Sequence, residues 1–586
     1  MKRILPALPF LLLFAACQEK MLPTRLEVAQ SSLSVESAAG QVQIELSSSE
    51  SWSVTPDAPW CRVLPASGNG LGSVPTTLNI VFDENLTPDN RSCSLVFASG
   101  GLSETVRITQ SHRQGILIPD QEFELEPEAQ ILRVPVWKGK DYTAEVTGDA
   151  GEWIQIVQTK AMEEEDLLLS VSENMSLSRS GQVKVRAGGQ EETLSIRQKC
   201  GYVKFEDEQL ERYSRQYDTD YDGRVSIEEA YAFRGGFGIP SGTTSVAGME
   251  HFIHITYVNC FAQLDELDLR PFQDLYEIRV ESRLKRLMVS GLSGLKTLVV
   301  RSSDIERLDL TGCLALTSIT LSENNRLKEL HLGNHPRLSE FMLSSSPLFH
   351  EISLSDMPGL VDCTICFMDG LVRCRLENLP ALRGAYLYHN TALEEAVIKK
   401  CPVLEDISLE ASGLSRFDLS AVPSVKAFYA HGSALETLNL SGSRQLQDLF
   451  LRCPLKALDL SGCPGLLRLE GAPAFPELDL SPCPLLKHVY VSDGSLTKLT
   501  ARNNPALQSL YCYANRLQEL DLSSCSGLEF LNFSYNLLDS VDLSACPRLR
   551  IIYATANPNL ETIWLKSGIE YELIVYDEST TELKYL

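Results

Sequence analysis

The chain is 586 residues long, which leaves room for several domains. It carries 77 acidic and 52 basic residues, for a formal net charge of −25. Nucleic acids and anionic membrane surfaces are bound through clustered Lys and Arg, so this balance argues against both as partners.

Residues 1–17 predict an export signal. A basic start is followed by an apolar run too short to span a bilayer, and then by small residues ahead of Cys17. The run from Leu13 to Cys17 resembles a bacterial lipobox, which implies cleavage before Cys17 and attachment of lipid to its sulfur. The alternative is an ordinary signal peptide that happens to be followed by a cysteine.

Residues 18–24 are predicted to be a tether. Within it, Gln18-Glu19-Lys20 resembles the export signals that direct lipoproteins to the outer face of the outer membrane. No later stretch is apolar enough to cross a bilayer, so we expect a soluble body held at the membrane by acyl chains. An anchor that faces the periplasm stays open as an alternative.

Residues 25–113 predict a β-sandwich, because short alternating segments are separated by Ser, Gly, Pro and Asp. The region resembles the BACON family (Bacteroidetes-associated, carbohydrate-binding, often N-terminal). The residues that carry the resemblance are Trp52-Ser53-Val54, Trp60-Cys61, Pro65-Ala66-Ser67-Gly68, Asn90-Arg91-Ser92 and Val106-Arg107-Ile108-Thr109-Gln110. Cys61 and Cys93 are the only cysteines here; an export compartment permits a disulfide, but their spacing does not prove one.

Residues 118–199 contain a second, degenerate BACON-like sandwich. Its matching segments are Tyr142-Thr143-Ala144-Glu145-Val146, Glu152-Trp153-Ile154, Ser178-Arg179-Ser180-Gly181 and Leu194-Ser195-Ile196-Arg197-Gln198. The family name implies carbohydrate binding, and Trp52, Trp60 and Trp153 could stack on sugar rings. A tryptophan in a sandwich more often belongs to the core, so we favour a pair of spacer domains.

Residues 200–260 are predicted to hold a calcium loop and the N-terminal cap of the following repeats. The segment Asp218–Glu229 matches the twelve-residue pattern D-x-D-x-D-G-x₅-E and so resembles an EF-hand loop. The expected ligands of one Ca²⁺ are Asp218, Asp220, Asp222, the carbonyl of Arg224, Ser226 directly or through water, and bidentate Glu229. EF-hands usually act in pairs and the sequence has no second loop, so a structural role is favoured; an acidic surface turn is the alternative.

Residues 261–568 repeat an aliphatic triplet of the form L-x-x-L-x-L. From Ile305 to Leu404 it recurs every 11 residues, and elsewhere with steps of 9 to 11. A unit this short cannot bury its own apolar edge and must stack on its neighbours, which predicts a solenoid. The triplets resemble irregular bacterial leucine-rich repeats, which implies turns of about 21 residues and two parallel sheets on opposite sides. Residues 569–586 break the period and are predicted to be a C-terminal cap.

Two residue types mark the turns after alternate triplets. One series carries asparagine and the other cysteine: Asn324, Asn390, Asn515, Asn536 and Asn557 against Cys313, Cys401, Cys463, Cys483, Cys525 and Cys546. Both are predicted to face inward, with asparagine bonding the backbone of the next coil and cysteine filling space. The isolated Cys363-x-x-Cys366 has no partner pair, so a metal site there is disfavoured.

The outward positions separate the two predicted sheets. One exposes a column of aromatic and basic side chains, which we predict as the ligand-binding residues: Tyr386, Tyr388, Tyr429, His431, Phe450, Arg452, Tyr490, Tyr511, Tyr513 and Tyr553. The alternative is that aromatics simply suit exposed strands. The other sheet exposes acids such as Asp418, Asp479 and Asp521, predicted to bond backbone amides at the next turn.

The predicted fold is mainly β, with two β-sandwich domains followed by a leucine-rich-repeat solenoid of short parallel strands. Motifs of hydrolases and phosphate-binding loops are absent from the sequence, and His251-x-x-His254 lacks a nearby acid to complete a metal site, so we predict that the protein is not an enzyme. The expected function is a lipid-anchored cell-surface recognition protein that binds a protein or glycan. The alternative is a structural or assembly component of a surface complex.

Overall fold

A computed structural model describes residues 23–87, 89–112, 116–138, 142–157, 166–187 and 189–586. The predicted lipidation site Cys17 lies outside these residues. The chain divides into two compact units, Met1–Gly201 and Tyr202–Leu586. Strands dominate both units, so the predicted mainly β fold class is confirmed. Among the described residues, no helix is long and apolar enough to span a bilayer.

The first sandwich contains nine strands in two sheets. They are β1 (Leu26–Val28), β2 (Ser32–Val35), β3 (Gly40–Ser48), β4 (Trp52–Pro56), β5 (Cys61–Leu64), β6 (Ser67–Gly68), β7 (Thr76–Phe82), β8 (Arg91–Ser99) and β9 (Leu102–Gln110). The strand orders are β1-β3-β7-β5 and β2-β9-β8-β4-β6. Alternate residues of each strand are buried between the sheets, as in β8, where Cys93, Leu95 and Phe97 are at most 1% exposed.

The second sandwich repeats this plan with sheets of four and three strands, plus a two-stranded ribbon. Its strands are β10 (Ile116–Leu117), β11 (Glu122–Leu125), β12 (Gln130–Pro135), β13 (Trp137–Lys138), β14 (Thr143–Thr147), β15 (Ile154–Val157), β16 (Asp166–Val171), β17 (Arg179–Ala187) and β18 (Gln190–Gln198), with a 3₁₀ turn at Gly148–Glu152. The orders are β11-β18-β17-β14, β12-β16-β15 and β10-β13. Its core is an aliphatic cluster closed by Trp153.

An arginine covers a tryptophan at the same place in both sandwiches. The Arg91 guanidinium carbon lies 4.4 Å from the centre of the Trp60 ring, and that of Arg179 lies 4.5 Å from Trp153. Each arginine Nε also donates to a glutamine of the last strand, at 2.9 Å in both cases. Trp52 and Trp153 are buried and Trp60 is partly buried. These tryptophans therefore hold the sandwiches together, which agrees with the core interpretation and leaves little ring face for sugar.

The two cysteines of the first sandwich are free thiols in this structure. Both belong to the same buried core cluster. Burial raises the pKa of Cys61 to about 12, with a smaller contribution from Cys93. The two thiols are not joined in this structure, and the disulfide that the export compartment would permit stays a prediction.

The second unit begins with two short helices around the predicted calcium loop, α1 (Glu208–Ser214) and α2 (Ile227–Ala232), and 3₁₀ turns at Arg215–Tyr217 and Met249–His251. Asp207 caps α1 by accepting the N–H groups of Gln209 and Leu210. Ser226 and Glu229 form a capping box at the start of α2. Beneath them, Tyr217 packs on Phe252, with ring centres 5.3 Å apart.

The solenoid has one continuous parallel sheet of 17 strands. They are β19 (Gly236–Ile239), β20 (Tyr257–Cys260), β22 (Glu277–Glu281), β24 (Thr297–Arg301), β26 (Ser318–Ser322), β28 (Glu340–Ser344), β30 (Asp362–Cys366), β32 (Gly384–Tyr386), β34 (Asp406–Ser408), β36 (Ala427–Tyr429), β38 (Asp448–Leu451), β39 (Arg468–Gly471), β41 (His488–Tyr490), β43 (Ser509–Tyr511), β45 (Phe530–Asn532), β47 (Ile551–Tyr553) and β49 (Leu573–Val575). We call this the continuous face.

The opposite side is a set of six short parallel sheets, which we call the broken face. Its strands are β21 (Glu266–Asp268) with β23 (Arg286–Met288); β25 (Arg307–Asp309) with β27 (Glu329–His331); β29 (Glu351–Ser355), β31 (Arg373–Glu377) and β33 (Glu395–Lys399); β35 (Arg416–Asp418) with β37 (Thr437–Asn439); β40 (Glu477–Asp479), β42 (Lys498–Thr500) and β44 (Glu519–Asp521); and β46 (Ser540–Asp542), β48 (Thr562–Leu565) and β50 (Glu582–Tyr585). The two predicted sheets thus exist, but only one is uninterrupted.

The predicted caps contribute strands to these sheets. In the segment predicted as the N-terminal cap, β19 and β20 pair in parallel and start the continuous face. In the segment predicted as the C-terminal cap, β49 pairs with β47 and β50 pairs with β48. Although its sequence loses the triplet period, the last segment therefore completes one further turn.

Asparagines and cysteines line the inside of the turns, as the sequence predicts. Asn536 donates to the carbonyl of Cys512 at 3.0 Å and accepts the N–H of Leu517 at 2.9 Å. Cys525 donates weakly to the carbonyl of Ala501 at 3.3 Å. These partners belong to the preceding coil and not to the next one, which corrects the expected direction. Both residue types therefore link successive coils, the amide more strongly than the thiol.

Candidate functional site

The predicted aromatic column lies in one row of the continuous face. In-register pairing joins Tyr386, Ser408, Tyr429, Phe450, Glu470, Tyr490, Tyr511, Asn532 and Tyr553 across nine strands. The aromatic members are partly exposed, and the residues on either side of each in its strand are mostly buried leucines or other apolar groups. The strands thus bring together side chains that are up to 167 positions apart in the sequence, from Tyr386 to Tyr553.

Several of these rings stack on one another. The Tyr429 and Phe450 centroids are 4.8 Å apart with 7° between the planes, and those of Tyr490 and Tyr511 are 4.8 Å apart at 19°. Strands in a sheet are about 4.8 Å apart, so the ring spacing follows directly from the sheet. The stacks hide ring faces and leave mainly ring edges toward solvent.

Two members of this array were not foreseen from the sequence. Phe530 stacks on Tyr511 with centroids 4.4 Å apart, and Arg468 places its guanidinium 4.9 Å from the centre of Phe450. Each lies two residues before its strand's column position, so it shares the outward face. The sequence did contain a signal, because residues two positions apart on a strand share a face. It was missed because the column positions of these strands, Asn532 and Glu470, are polar.

The second predicted row lies two residues after the column. Tyr388 and Tyr513 are partly buried, while His431 and Arg452 are exposed. Tyr388 packs edge-on against Phe367, with centroids 5.8 Å apart. The members of this row form no continuous stack among the described residues, so the column is the better-organised part of the predicted site.

The acidic positions of the broken face bond their own turns. Asp418, Asp459, Asp479, Asp521 and Asp542 each accept the N–H of the residue two positions further on, at 2.9 to 3.1 Å. This bond is the main cause of the lowered pKa of Asp459. The predicted structural role agrees with the geometry, except that the amide belongs to the same turn and not to the next.

Three aspartates converge in the predicted calcium loop. One carboxylate oxygen from each of Asp218, Asp220 and Asp222 lies within 4.8 Å of the others. Asp218 accepts the N–H groups of Tyr221 at 2.7 Å and Gly223 at 2.8 Å, and both donors have positive φ, which folds the loop tightly. Three hard anionic oxygen donors in one concave turn fit a Ca²⁺ ion.

The electrostatics of the loop also favour a bound cation. The N–H of Asp222 lowers the pKa of Asp220, but desolvation and the charges of Asp222 and Glu229 outweigh it, so that the pKa is raised overall. Like charges that disfavour one another are relieved by a divalent cation.

The remaining predicted ligands are placed differently. Glu229 Oε1 accepts the backbone N–H of Thr219 at 2.6 Å, and Oε2 accepts that of Ser226 at 2.8 Å. Glu229 therefore ties the start of the loop to α2 and lies outside the convergent group. The Arg224 side chain lies over the Tyr202 ring, 3.5 Å from its centre. Ligation by Glu229, Ser226 and the Arg224 carbonyl stays a prediction.

A histidine near the start of the solenoid has an acidic partner that the sequence did not reveal. His254 Nδ1 lies 2.6 Å from Asp274 Oδ2, 20 residues away. His254 thus has a nearby acid, because one solenoid turn brings the two residues together, but in the described part of the chain the pair does not complete a metal site with His251. Within the described residues, the three loop aspartates are the one cluster with metal-ligand spacing, and Cys363 and Cys366 are not part of it.

Comparison with known proteins gives a family for the sandwiches. The model of the BACON family, described as a putative binding domain, N-terminal, matches residues 50–111 and 143–199. Two BACON domains are therefore supported in the first unit. No curated protein matches the chain.

Solved structures resemble parts of the chain at low identity. The functional domain of InlJ from Listeria monocytogenes, described as including a cysteine ladder, is 17% identical, covering 61% of this chain and 80% of its own, with a TM-score of 0.37. A Bacteroides ovatus GH5 xyloglucanase in complex with a XXXG heptasaccharide is 19% identical, covering 18% of this chain and 27% of its own, with a TM-score of 0.14. At these values neither structure carries an argument about this protein's function.

Proposed function

We propose that this protein is a lipid-anchored surface recognition protein that binds an extracellular partner through the aromatic column of the continuous face. The observation that carries the proposal is the in-register stack of aromatic side chains on a sheet of 17 strands. Aromatic and arginine side chains held on a rigid surface are the usual energetic anchors of interfaces. No ordering of loops is needed to assemble them, so that part of the entropic cost of binding is small.

A protein partner is favoured over a glycan. Pyranose rings pack against the faces of aromatic rings, and in this column most faces are occupied by neighbouring rings. Ring edges with tyrosine hydroxyls, flanked by the acidic groups Asp362, Asp406 and Asp448, suit a flat polypeptide surface better.

The surface location rests on the lipobox-like run that ends at Cys17 and on the two BACON domains. We assign the BACON domains to a spacer role, because their tryptophans are buried or covered by arginine. The anchor would hold the protein at the outer membrane, with its body on the outside of the cell.

We assign one Ca²⁺ to the aspartates of the loop, with a structural role. When bound, the ion would neutralise the converging carboxylates and fix the segment that joins α1 to α2. The test is thermal unfolding with calcium and with chelator, comparing the natural chain with Asp220→Ala. Calcium should raise the Tm of the natural chain and not that of the variant; an equal Tm in all four samples would refute the site.

The test of recognition is an array of extracellular proteins and glycans probed with the chain from Gln18 onward. Its variant is Tyr490→Ala/Tyr511→Ala, which removes a stacked pair from the column. The matched control is Tyr535→Ala, since Tyr535 is 64% exposed and lies outside the column. Binding that is lost only in the column variant supports recognition. Silence on every array would favour a structural or assembly role, whereas equal binding by all three chains would refute the aromatic column as the binding surface.

A further inference from the structure

Three positions interrupt the aromatic column. They are Ser408 between Tyr386 and Tyr429, Glu470 between Phe450 and Tyr490, and Asn532 between Tyr511 and Tyr553. At each interruption the flanking rings belong to strands two apart, which places them about 9.6 Å from each other. That distance leaves room for one flat group between two rings.

Two of the three interruptions are filled by the protein itself. At Glu470, the guanidinium of Arg468 lies 4.9 Å from the centre of Phe450 and 5.6 Å from that of Tyr490, and pairs with Glu470 at 3.2 Å. At Asn532, Phe530 lies 4.4 Å from Tyr511 and 5.8 Å from Tyr553. In both cases the filling side chain comes from two residues earlier on the same strand.

The third interruption has a different residue at that position. In β34 it is Asp406, whose side chain is shorter than that of Arg468 and has no ring or guanidinium to stack on the flanking rings, and the column residue Ser408 is small and buried. In the solenoid, residues 202–586, no ring or cationic contact to Tyr386 is found, and Tyr429 stacks only on the far side, against Phe450. We call the space between Tyr386 and Tyr429 the β34 slot.

The tyrosine at one wall of the slot is held in place by its own strand. A Cβ added to Gly384 would lie 2.6 Å from a Tyr386 ring carbon and 2.8 Å from Asp362 Oδ1. The ring therefore lies across Gly384, which is the residue paired with Asp406 on the next strand. The aromatic wall and the carboxylate of the slot are thus side by side.

The slot is strongly acidic. Burial is the main cause of the raised pKa of Asp406, and the charges of Glu405, Asp362 and Asp448 add to it while Lys426 opposes it. Lys426 itself pairs with Glu405 at 3.2 Å. In the solenoid, residues 202–586, no ion pair to Asp406 is found, so its charge is available to a cation from outside.

We propose that the β34 slot binds the guanidinium group of an arginine side chain on a protein partner. This deepens the proposed function and rests on it for the identity of the partner as a protein. The precedent is within the same sheet, where Arg468 fills the corresponding space with Glu470 beside it. A planar guanidinium fits between two aromatic rings and pairs with a carboxylate, whereas the compact ammonium of lysine gains less from stacking.

The first experiment measures binding of short peptides to the chain from Gln18 onward by saturation-transfer NMR. The probes are acetyl-Gly-Arg-Gly-amide, the same peptide with lysine, and the same peptide with citrulline, which is isosteric with arginine and neutral. The arginine peptide should bind at millimolar concentration and the citrulline peptide about tenfold more weakly. Equal binding of arginine and citrulline peptides, or no binding of either, would overturn the proposal.

The second experiment fills the β34 slot with the side chains that fill the equivalent space at Glu470. The variant Asp406→Arg/Ser408→Glu transfers the Arg468 and Glu470 pair to β34, and it should abolish arginine-peptide binding while circular dichroism and Tm stay unchanged. Because this variant gains one positive charge, Asp539→Asn, on an exposed residue outside the slot, is the matched control and should bind like the natural chain. If the closed variant still binds, the peptide occupies another site and the proposal is wrong.

A reverse variant, which should gain binding, excludes misfolding of the slot-closed variant as the cause of its lost binding. Arg468→Asp/Glu470→Ser should open a second slot between Phe450 and Tyr490 and raise the number of peptide sites from one to two; an unchanged number would contradict the geometry.

The array of extracellular proteins and glycans separates this inference from the proposed function. A partner that binds the natural and the slot-closed chains equally would refute the slot alone, whereas peptide binding with a silent array would refute the proposed function alone.

Discussion

The two faces of the solenoid are built from the same triplet, yet they differ in continuity. The continuous face joins 17 strands in one sheet, whereas the broken face is divided into six sheets of two or three strands. Near Asp459 the broken face forms no strand at all, and β38 is followed directly by β39. At two of the breaks, between β23 and β25 and between β33 and β35, clefts of about 580 and about 620 Å³ open.

The inward leucines do not explain this difference, because they are equally buried on both faces. The two faces differ in the side chains that point outward and in the hydrogen bonds of their turns. On the continuous face, rings stack at the strand spacing and asparagines bond successive coils. On the broken face, Asp479 and its equivalents bond their own turns, and cysteines link the coils only weakly. Bonds between turns hold neighbouring strands together, while bonds within a turn do not.

The largest expected effect is on the shared core. Leu510→Ala on the continuous face and Leu499→Ala on the broken face should each lower the free energy of unfolding by about 3 kcal/mol, since both side chains are fully buried. Urea unfolding followed by circular dichroism measures both. A much smaller loss for Leu499→Ala would show that the broken face contributes less to the core than its burial indicates.

The next effect separates the two turn series. Asn536→Ala should cost about 2 kcal/mol, because it leaves the carbonyl of Cys512 and the N–H of Leu517 buried without their partner. Cys525→Ala should cost about 1 kcal/mol, as it removes a small group and a weak donor. The same urea experiment compares them, and equal losses would contradict the stronger coupling of the continuous face.

A pH effect is expected on the broken face at His335. Its Nδ1 lies 3.2 Å from the carbonyl oxygen of Cys313, and burial lowers its pKa. Because the folded-state pKa lies below the unfolded one, stability is full above about pH 6.5 and falls as the pH drops toward the folded-state value. Each tenfold loss of proton affinity corresponds to about 1.4 kcal/mol.

The matched variant for this effect is His335→Asn. Asn504 occupies the equivalent turn and donates to the carbonyl of Cys483 at 2.7 Å, so asparagine fits there. Urea midpoints between about pH 7.5 and pH 5 should fall more steeply for the natural chain than for the variant. Parallel curves would show that His335 does not titrate on folding.

The smallest effect concerns the exposed stack. A double-mutant cycle on Tyr490 and Tyr511 should give a coupling energy of about 0.5 to 1 kcal/mol, as expected for stacked rings. Tyr490 and Tyr535 make no ring contact with each other in the solenoid, residues 202–586, so a cycle on this pair should give about zero. Coupling that is absent in both cycles would mean that the rings contribute nothing to the cohesion of the continuous face.

The sequence predicted most of the fold because its signals are periodic or local. The triplet fixes the parallel strands and their inward leucines, since a repeated unit has only its neighbours to pack against. The BACON-like segments around Arg91 and Arg179 mark the arginines that cover tryptophans. The acids of the calcium loop follow one another at fixed spacing, so their convergence at Asp218, Asp220 and Asp222 is also a local property.

The sequence alone thus determined the fold class, the two series of the repeat and the column of rings, all of which follow from short-range pattern. Only the tertiary structure decided which rings touch and which interruption of the column, within residues 202–586, has no ring or guanidinium stacked in it. The roles of Arg468 and Phe530, and the partner of His254, depend on strands one or two turns away. The tertiary structure also decided that only one face is continuous. Strands of successive turns pair only where their outward side chains and their turns fit together at the spacing between strands.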